Sequence, residues 1–154
     1  MWGSGGSAPA DTWRRFAQPS WGYQVGIIEN CWGGVCLNVG CIPTKALLRH
    51  AELVHILTPQ ADLFGIRGEF SFDYGTAVSR SRQLVERSVS GVHFLMRKNK
   101  ITEMHGWGEF TNAKTIKVKA DSGEQAVTFD NCIIAAGSTT KLLPNSHRSA
   151  RVFT

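Results

Sequence analysis

Three of the four cysteines, Cys31, Cys36 and Cys41, fall within eleven residues, and the fourth, Cys132, stands far downstream. Cys36 and Cys41 form a C-x4-C pair in GGVCLNVGCIPTK. Pro43 follows where a helix can begin, because the N–H it lacks is one the first turn leaves unpaired anyway. A helix N-terminus presents free N–H groups and positive dipole character, which favour a thiolate and lower its pKa. A short loop containing glycines can bend far enough to bring two sulfurs to bonding distance. The chemistry this spacing suggests is a redox-active pair rather than a structural cross-link. Two other readings stay open on spacing alone. Cys31, Cys36, Cys41 and His50 could ligate zinc, although the gaps are wider than usual for such a site. The cysteines could also be plain thiols packed as small hydrophobes. Cys132, in an apolar run, fits that description, and Cys31 fits either.

These residues need elements to hold them. Residues 23–28, YQVGII, read as a short buried strand with Glu29 at its C-terminal end. The glycine-rich stretch NCWGGVCLNVGCIPTK reads as loop and turn. A helix with Pro43 in its first turn runs through Ala46, Leu47, Leu48, Ala51, Leu53, Val54 and Leu57 to about Thr58, where Pro59 stops it. A second helix is predicted from Tyr74 to Lys98, with Val78, Val85, Val89, Val92 and Met96 on one stripe. From Ile101 the segments ITEMHG, GEFTN, TIKVKA and AVTFD read as an antiparallel meander, with turns at Asn112-Ala113 and Asp121-Ser122-Gly123. The run CIIAAGS at 132–138 reads as a buried, parallel-type strand stopped by Gly137 and Ser138. Strand, helices, small antiparallel insert and strand is the order of an α/β nucleotide-binding domain.

The bulk properties agree. The chain has 154 residues, 42% hydrophobic and 19% charged, which suits one folded domain and excludes a disordered tail or a charged coiled coil. No apolar run approaches the roughly 20 residues of a membrane span, so no membrane partner is expected. The start, MWGSGGSAPADTWRR, lacks the order of a secretory signal, and a cytoplasmic location is expected. Seventeen Lys+Arg against twelve Asp+Glu leave a net charge of +5. The basic residues are scattered, so no nucleic-acid partner is expected.

The stretch GGVCLNVGCIPTKALL resembles the redox-disulfide motif of the flavin-dependent pyridine nucleotide–disulfide oxidoreductases. Its CLNVGCIP is most similar to their dihydrolipoamide dehydrogenase branch; glutathione and mercuric reductases tend to carry CVNVGCVP instead. The likeness continues through RHAELVHI, FDYG, VHFLMRKNKITEMHGWGEF and VTFDNCIIAAGS. It implies an α/β fold: an incomplete Rossmann-like FAD-binding domain with a small antiparallel β insert, over residues 23–144. A degenerate dinucleotide-fingerprint region at 1–22 would precede it and a truncated tail at 145–154 would follow. The fingerprint keeps Gly3-x-Gly5 but has Ala8 at the third glycine, and Pro9, Pro19 and Trp21 interrupt the helix expected after it.

The resemblance also implies residue roles. Glu29 would accept hydrogen bonds from the adenosine ribose, and Gly33 and Gly34 would let the backbone approach the cofactor. Cys36 would exchange with the dithiol substrate. Cys41 would lie against the flavin as the charge-transfer thiolate, and Lys45, one turn later, would steady negative charge on the ring. Gly108, Ala136, Gly137 and Ser138 would touch FAD through their main chain. The implied activity oxidises dihydrolipoamide, passing electrons through the Cys36–Cys41 disulfide and FAD to NAD+. Its partners would be the lipoyl group of a 2-oxoacid dehydrogenase complex and a second subunit of a homodimer. The family's NAD-binding and dimerisation segments have no counterpart here, so the chain is expected to be a truncated, inactive copy. A glutathione- or mercuric-reductase-type enzyme and a non-catalytic remnant without flavin are the alternatives.

Overall fold

Two segments more than seventy residues apart meet as parallel strands, β1 (Gly26–Glu29) and β2 (Thr102–His105), in register from Gly26 opposite Thr102 to Glu29 opposite His105. Parallel strands need a long crossover between them. Here it carries α1 (Gly34–Asn38), α2 (Cys41–Leu57), a single 3₁₀ turn (Ala61–Phe64) and α3 (Tyr74–Lys98). The antiparallel sheet β3 (Trp107–Asn112), β4 (Thr115–Ala120) and β5 (Gly123–Thr128) follows, with β4 in the middle. The fold is α/β with a small antiparallel sheet, as the order of elements predicts. The computed structural model describes residues 22–138, 141, 143, 144 and 149. The fingerprint stretch at 3–8 and all of the expected tail except residue 149 lie outside them.

Both long helices form where the periodicity places them. Helix α3 matches its predicted bounds, and Val85 and Met96 from its stripe are buried. Helix α2 starts two residues earlier than Pro43, and Pro43 sits buried within its first turn. Asp73 caps α3, its carboxylate accepting from the N–H groups of Gly75 and Thr76 and from the Thr76 hydroxyl. At the other end the Ile101 N–H reaches the Met96 carbonyl at 3.0 Å and the Lys100 N–H reaches that of Arg97. This is a Schellman closure, whose C′ residue takes the left-handed conformation. That residue is Lys100, with φ 53°. The closure turns the chain directly into β2 and seats Ile101 on Met96, the centre of a small core that Val25, Ile27, Trp32 and Val92 complete.

Several expectations need correction. The ITEMHG segment does not join the antiparallel meander; as β2 it pairs in parallel with β1, and the Thr102 N–H donates to the Val25 carbonyl at 2.9 Å. Side-chain alternation states which face is buried but not the direction of the neighbouring strand. The run CIIAAGS forms no strand: residues 131–138 are irregular, and Ile133 and Ile134 are 62% and 63% exposed. A strand exists only through its ladder, and no described strand lies alongside this run. Cys132 is accordingly an exposed thiol rather than a packed one. The stretch read wholly as loop contains α1. Strand β5 begins at Gly123 because the ladder to β4 closes there, opposite Ala120. Salt bridges Lys119–Glu109 (2.5 Å) and Lys117–Glu124 (3.2 Å) decorate this sheet. The hydrogen bond from Lys119 holds the Glu109 carboxyl below its ordinary pKa, and Glu109 raises that of Lys119.

Two expected outcomes follow from α3. Lys100→Gly removes the steric cost of a left-handed residue, and should stabilise the chain by about 0.5–1 kcal/mol in denaturant unfolding. At Asp73, the bond from the Thr76 hydroxyl, followed by those from the two N–H groups, lowers the carboxyl pKa below its ordinary 3.8. The cap is therefore intact above pH 3.8 and is lost as the pH falls through the lower, folded-state pKa. Acid melts followed by circular dichroism should show this loss in the native chain and not in Asp73→Ala.

Candidate active site

The loop between β1 and α2 is built around one side chain. The Asn38 amide donates to the carbonyls of Trp32 (2.9 Å) and Gly34 (2.8 Å) and approaches the Cys31 sulfur at 3.5 Å. The Asn38 main-chain carbonyl accepts from the Arg82 guanidinium of α3 at 2.9 Å. Asn38 thus curls α1 back on its own entry turn while Arg82 ties it to α3. Gly33 begins that turn at φ 93°, and a Cβ there would stand 3.0 Å from the Leu37 Cβ and 3.2 Å from a Val89 methyl. After α1 the chain doubles back through Gly40, whose N–H donates to the Val35 carbonyl at 2.7 Å. A Cβ on Gly40 would sit 3.1 Å from that same oxygen.

This return brings the next residue onto Cys36. The Cα atoms of Cys36 and Cys41 are 4.7 Å apart and the two sulfurs are bonded. Both cysteines are exposed. Cys41 is the first residue of the 17-residue α2, so its sulfur stands at the positive end of a long helix. The disulfide also occupies two of the four ligands that a zinc site would need.

One turn beyond Cys41, Lys45 lines a cavity of about 460 Å³ between α2 and α3, together with Ile42, Ala46, Leu84, Arg87 and Ser88. At the far end of the loop, Glu29 closes β1, and its Oε1 accepts the Cys31 N–H at 2.8 Å. Gly108 lies beside the same strand: a Cβ there would be 3.6 Å from an Ile28 methyl. Glu29 therefore stands at one end of the loop, with Gly108 packed on the residue before it, and Cys36, Cys41 and Lys45 stand at the other. Gly33 and Gly34 are buried between them, and the protein packing around Gly33 already accounts for its missing side chain. Among the described residues no hydrogen bond ties Ala136, Gly137 or Ser138 to the other expected residues. Gly137 has φ 68° and is exposed.

Sequence reasoning passed over Asn38, Gly40 and Arg82, which shape the site. Gly40, immediately before Cys41, carried a readable signal. The link from Arg82 to Asn38 spans 44 residues and carried none. Trp32 and His93 were also unforeseen: their rings lie 5.2 Å apart, and the imidazole hydrogen-bonds the Glu103 carboxylate, joining loop, α3 and β2.

A parallel-strand crossover unit with an exposed disulfide at a helix N-terminus defines an α/β domain suited to thiol–disulfide exchange. Comparisons with known proteins make the assignment specific. The family model described as pyridine nucleotide-disulphide oxidoreductase matches residues 3–152, and the chain belongs to that family. The dihydrolipoyl dehydrogenase of Mycobacterium tuberculosis is 60% identical over 135 residues, covering 86% of this chain and 29% of the relative. That of Mycobacterium leprae is 54% identical over 138 residues, 86% of this chain and 30% of the relative. In fold, the chain resembles LpdA from Mycobacterium tuberculosis, with a TM-score of 0.76 at 19% identity over 90% of this chain and 32% of that one. It also resembles the flavoprotein disulfide reductase RclA from Escherichia coli, with a TM-score of 0.69 at 24% identity over 92% of this chain and 29% of that one. The chain spans less than a third of the length of these proteins.

The family implies FAD, and NAD in full-length members. The donor set here suits FAD. A half-buried carboxylate ends a parallel strand with one oxygen held by a backbone N–H, which leaves the other for ribose hydroxyls. A cation, Lys45, lies one turn past the sulfur at the helix start, which suits a ring that gains negative charge on reduction.

The Asn38 bonds fix the turn that carries Cys36 toward Cys41. Asn38→Ala should therefore lower their effective concentration toward each other. Loss of about 1–2 kcal/mol would shift the glutathione redox equilibrium roughly five- to thirtyfold toward the dithiol. Thiol trapping at defined glutathione ratios measures this, and Asn38→Asp, which keeps an acceptor but no donor, should behave like the alanine variant.

Proposed function

We propose that this chain carries the substrate-side chemistry of a dihydrolipoamide dehydrogenase: oxidation of a dithiol by the Cys36–Cys41 disulfide, with FAD and then NAD+ as onward acceptors. The observation that supports it is the disulfide itself, exposed and placed with Cys41 at the N-terminus of α2. A thiolate of dihydrolipoamide attacks the Cys36 sulfur, the Cys36–Cys41 bond breaks, and Cys41 leaves as a thiolate favoured by the helix end. The second substrate thiol then attacks the substrate sulfur bonded to Cys36 and expels Cys36. Lipoamide leaves as the cyclic disulfide, and the chain holds two electrons as a dithiol. Bound FAD supplies the acceptor for those electrons. Glu29 would hold its adenosine ribose, Gly33 and Gly34 would let the backbone approach it, Gly108, Ala136, Gly137 and Ser138 would touch it through their main chain, and Lys45 would steady negative charge on its ring.

In this reading residues 23–144 belong to the FAD-binding domain and 1–22 are the altered fingerprint region. The dithiol is the lipoyl group of a 2-oxoacid dehydrogenase complex, the longer protein is a homodimer, and its compartment is the cytoplasm, where a thiol–disulfide couple works against a reducing thiol pool. The chain alone transfers no electrons to NAD+.

The test mixes the oxidised chain with dihydrolipoamide and counts lipoamide formed. One equivalent per chain is expected, with none from Cys36→Ser or Cys41→Ser, and FAD added to the chain should stay bound through gel filtration. The reading is overturned if the chain fails to oxidise the dithiol and fails to retain FAD, and NAD+ reduction by the chain alone would overturn the statement that it passes no electrons to NAD+.

A further inference from the structure

The register of the parallel pair places a residue beside Glu29 to which no role has been given. His105 ends β2 directly opposite Glu29 at the end of β1. Aligned neighbours in a parallel sheet project to the same face, so both side chains leave the sheet on one face at the carboxyl ends of the strands, where ligands bind in α/β folds. The position is held firmly: the Gly106 N–H, next in sequence, donates to the Glu29 carbonyl at 3.2 Å. Two residues on, Gly108 packs against Ile28. His105 therefore lies beside Glu29, the residue assigned to the adenosine ribose of FAD.

The other histidines of the described chain are occupied or covered. His93 bonds Glu103, His55 contacts Gln60 at 3.1 Å, and the His50 Nε2 is buried. The His105 ring is exposed and, among the described residues, has no hydrogen-bond partner. The chemistry of a ribose makes use of such a group. Each hydroxyl of its cis-diol both donates and accepts, whereas a carboxylate only accepts and cannot satisfy the diol's own oxygens. An imidazole N–H next to the carboxylate supplies the missing donor.

We propose that His105 is a second ribose-contacting residue of the dinucleotide site, donating to a hydroxyl of the diol whose hydrogens Glu29 accepts. This rests on the reading that the chain binds FAD.

The experiment measures Kd for FAD by flavin fluorescence and for ADP, the adenosine half alone, by competition. It uses the chain and its His105→Ala, His105→Gln, Glu29→Ala and doubly substituted forms. His105→Ala should weaken FAD and ADP by the same factor, roughly tenfold for the loss of a hydrogen bond to a bound ligand. His105→Gln, which keeps an N–H donor, should recover most of it. The double variant should lose less than the product of the two single losses, because both side chains hold one diol. Unchanged thermal melting of His105→Ala separates binding from folding. The inference is overturned if His105→Ala binds FAD like the native chain while Glu29→Ala does not, or if FAD weakens and ADP does not. If the native chain binds neither FAD nor ADP, the FAD reading fails and the inference with it.

Discussion

The parallel pairing of β1 with β2 is the constraint from which the rest of the described structure follows. Two strands running the same way cannot be joined by a tight turn, so the chain between Glu29 and Thr102 must leave one end of the pair and return to the other. That excursion contains the disulfide and both long helices. Its return is set by the Schellman closure at Lys100, which buries Met96 and Ile101 against β1 side chains and the ring of Trp32. The same hydrophobic contact therefore ends α3, starts β2 and anchors the redox loop.

Within the excursion, function comes from a second, smaller closure. Asn38 holds α1 against its entry turn, and the crossing at Gly40 lays Cys41 over Cys36. The site consequently has two ends. One is acidic and hydrogen-bonding, at the carboxyl ends of the strands. The other carries the sulfurs, a helix N-terminus and the cations Lys45 and Arg87. An elongated dinucleotide, with a ribose at one end and an electron-accepting ring at the other, matches that polarity.

Much of this was legible from residue order. Helices α2 and α3 were readable because their apolar positions repeat with the helical period and because prolines bound α2. Strand β4 was readable from its flanking turn residues. The direction of β2 was not, since an alternating strand looks the same whichever way its neighbour runs. Nor was the irregular state of CIIAAGS, whose composition favours a strand but whose ladder depends on another segment. The C-x4-C pair announced its chemistry directly, while Asn38 and Arg82, polar residues without a motif, became visible only through the contacts they make.

The sequence by itself determined the kind of chemistry, because a cysteine pair at the start of a helix, within a long family motif, is a local feature that short-range geometry and a helix dipole suffice to interpret. Only the tertiary structure decided which residues share an end of the site. The alignment of Glu29 with His105, and of Asn38 with Arg82, depends on register and packing between segments 44 to 76 residues apart. Such alignments arise from the burial of Met96, Ile101 and Ile27 in one core, a cooperative condition that no single stretch of the chain encodes.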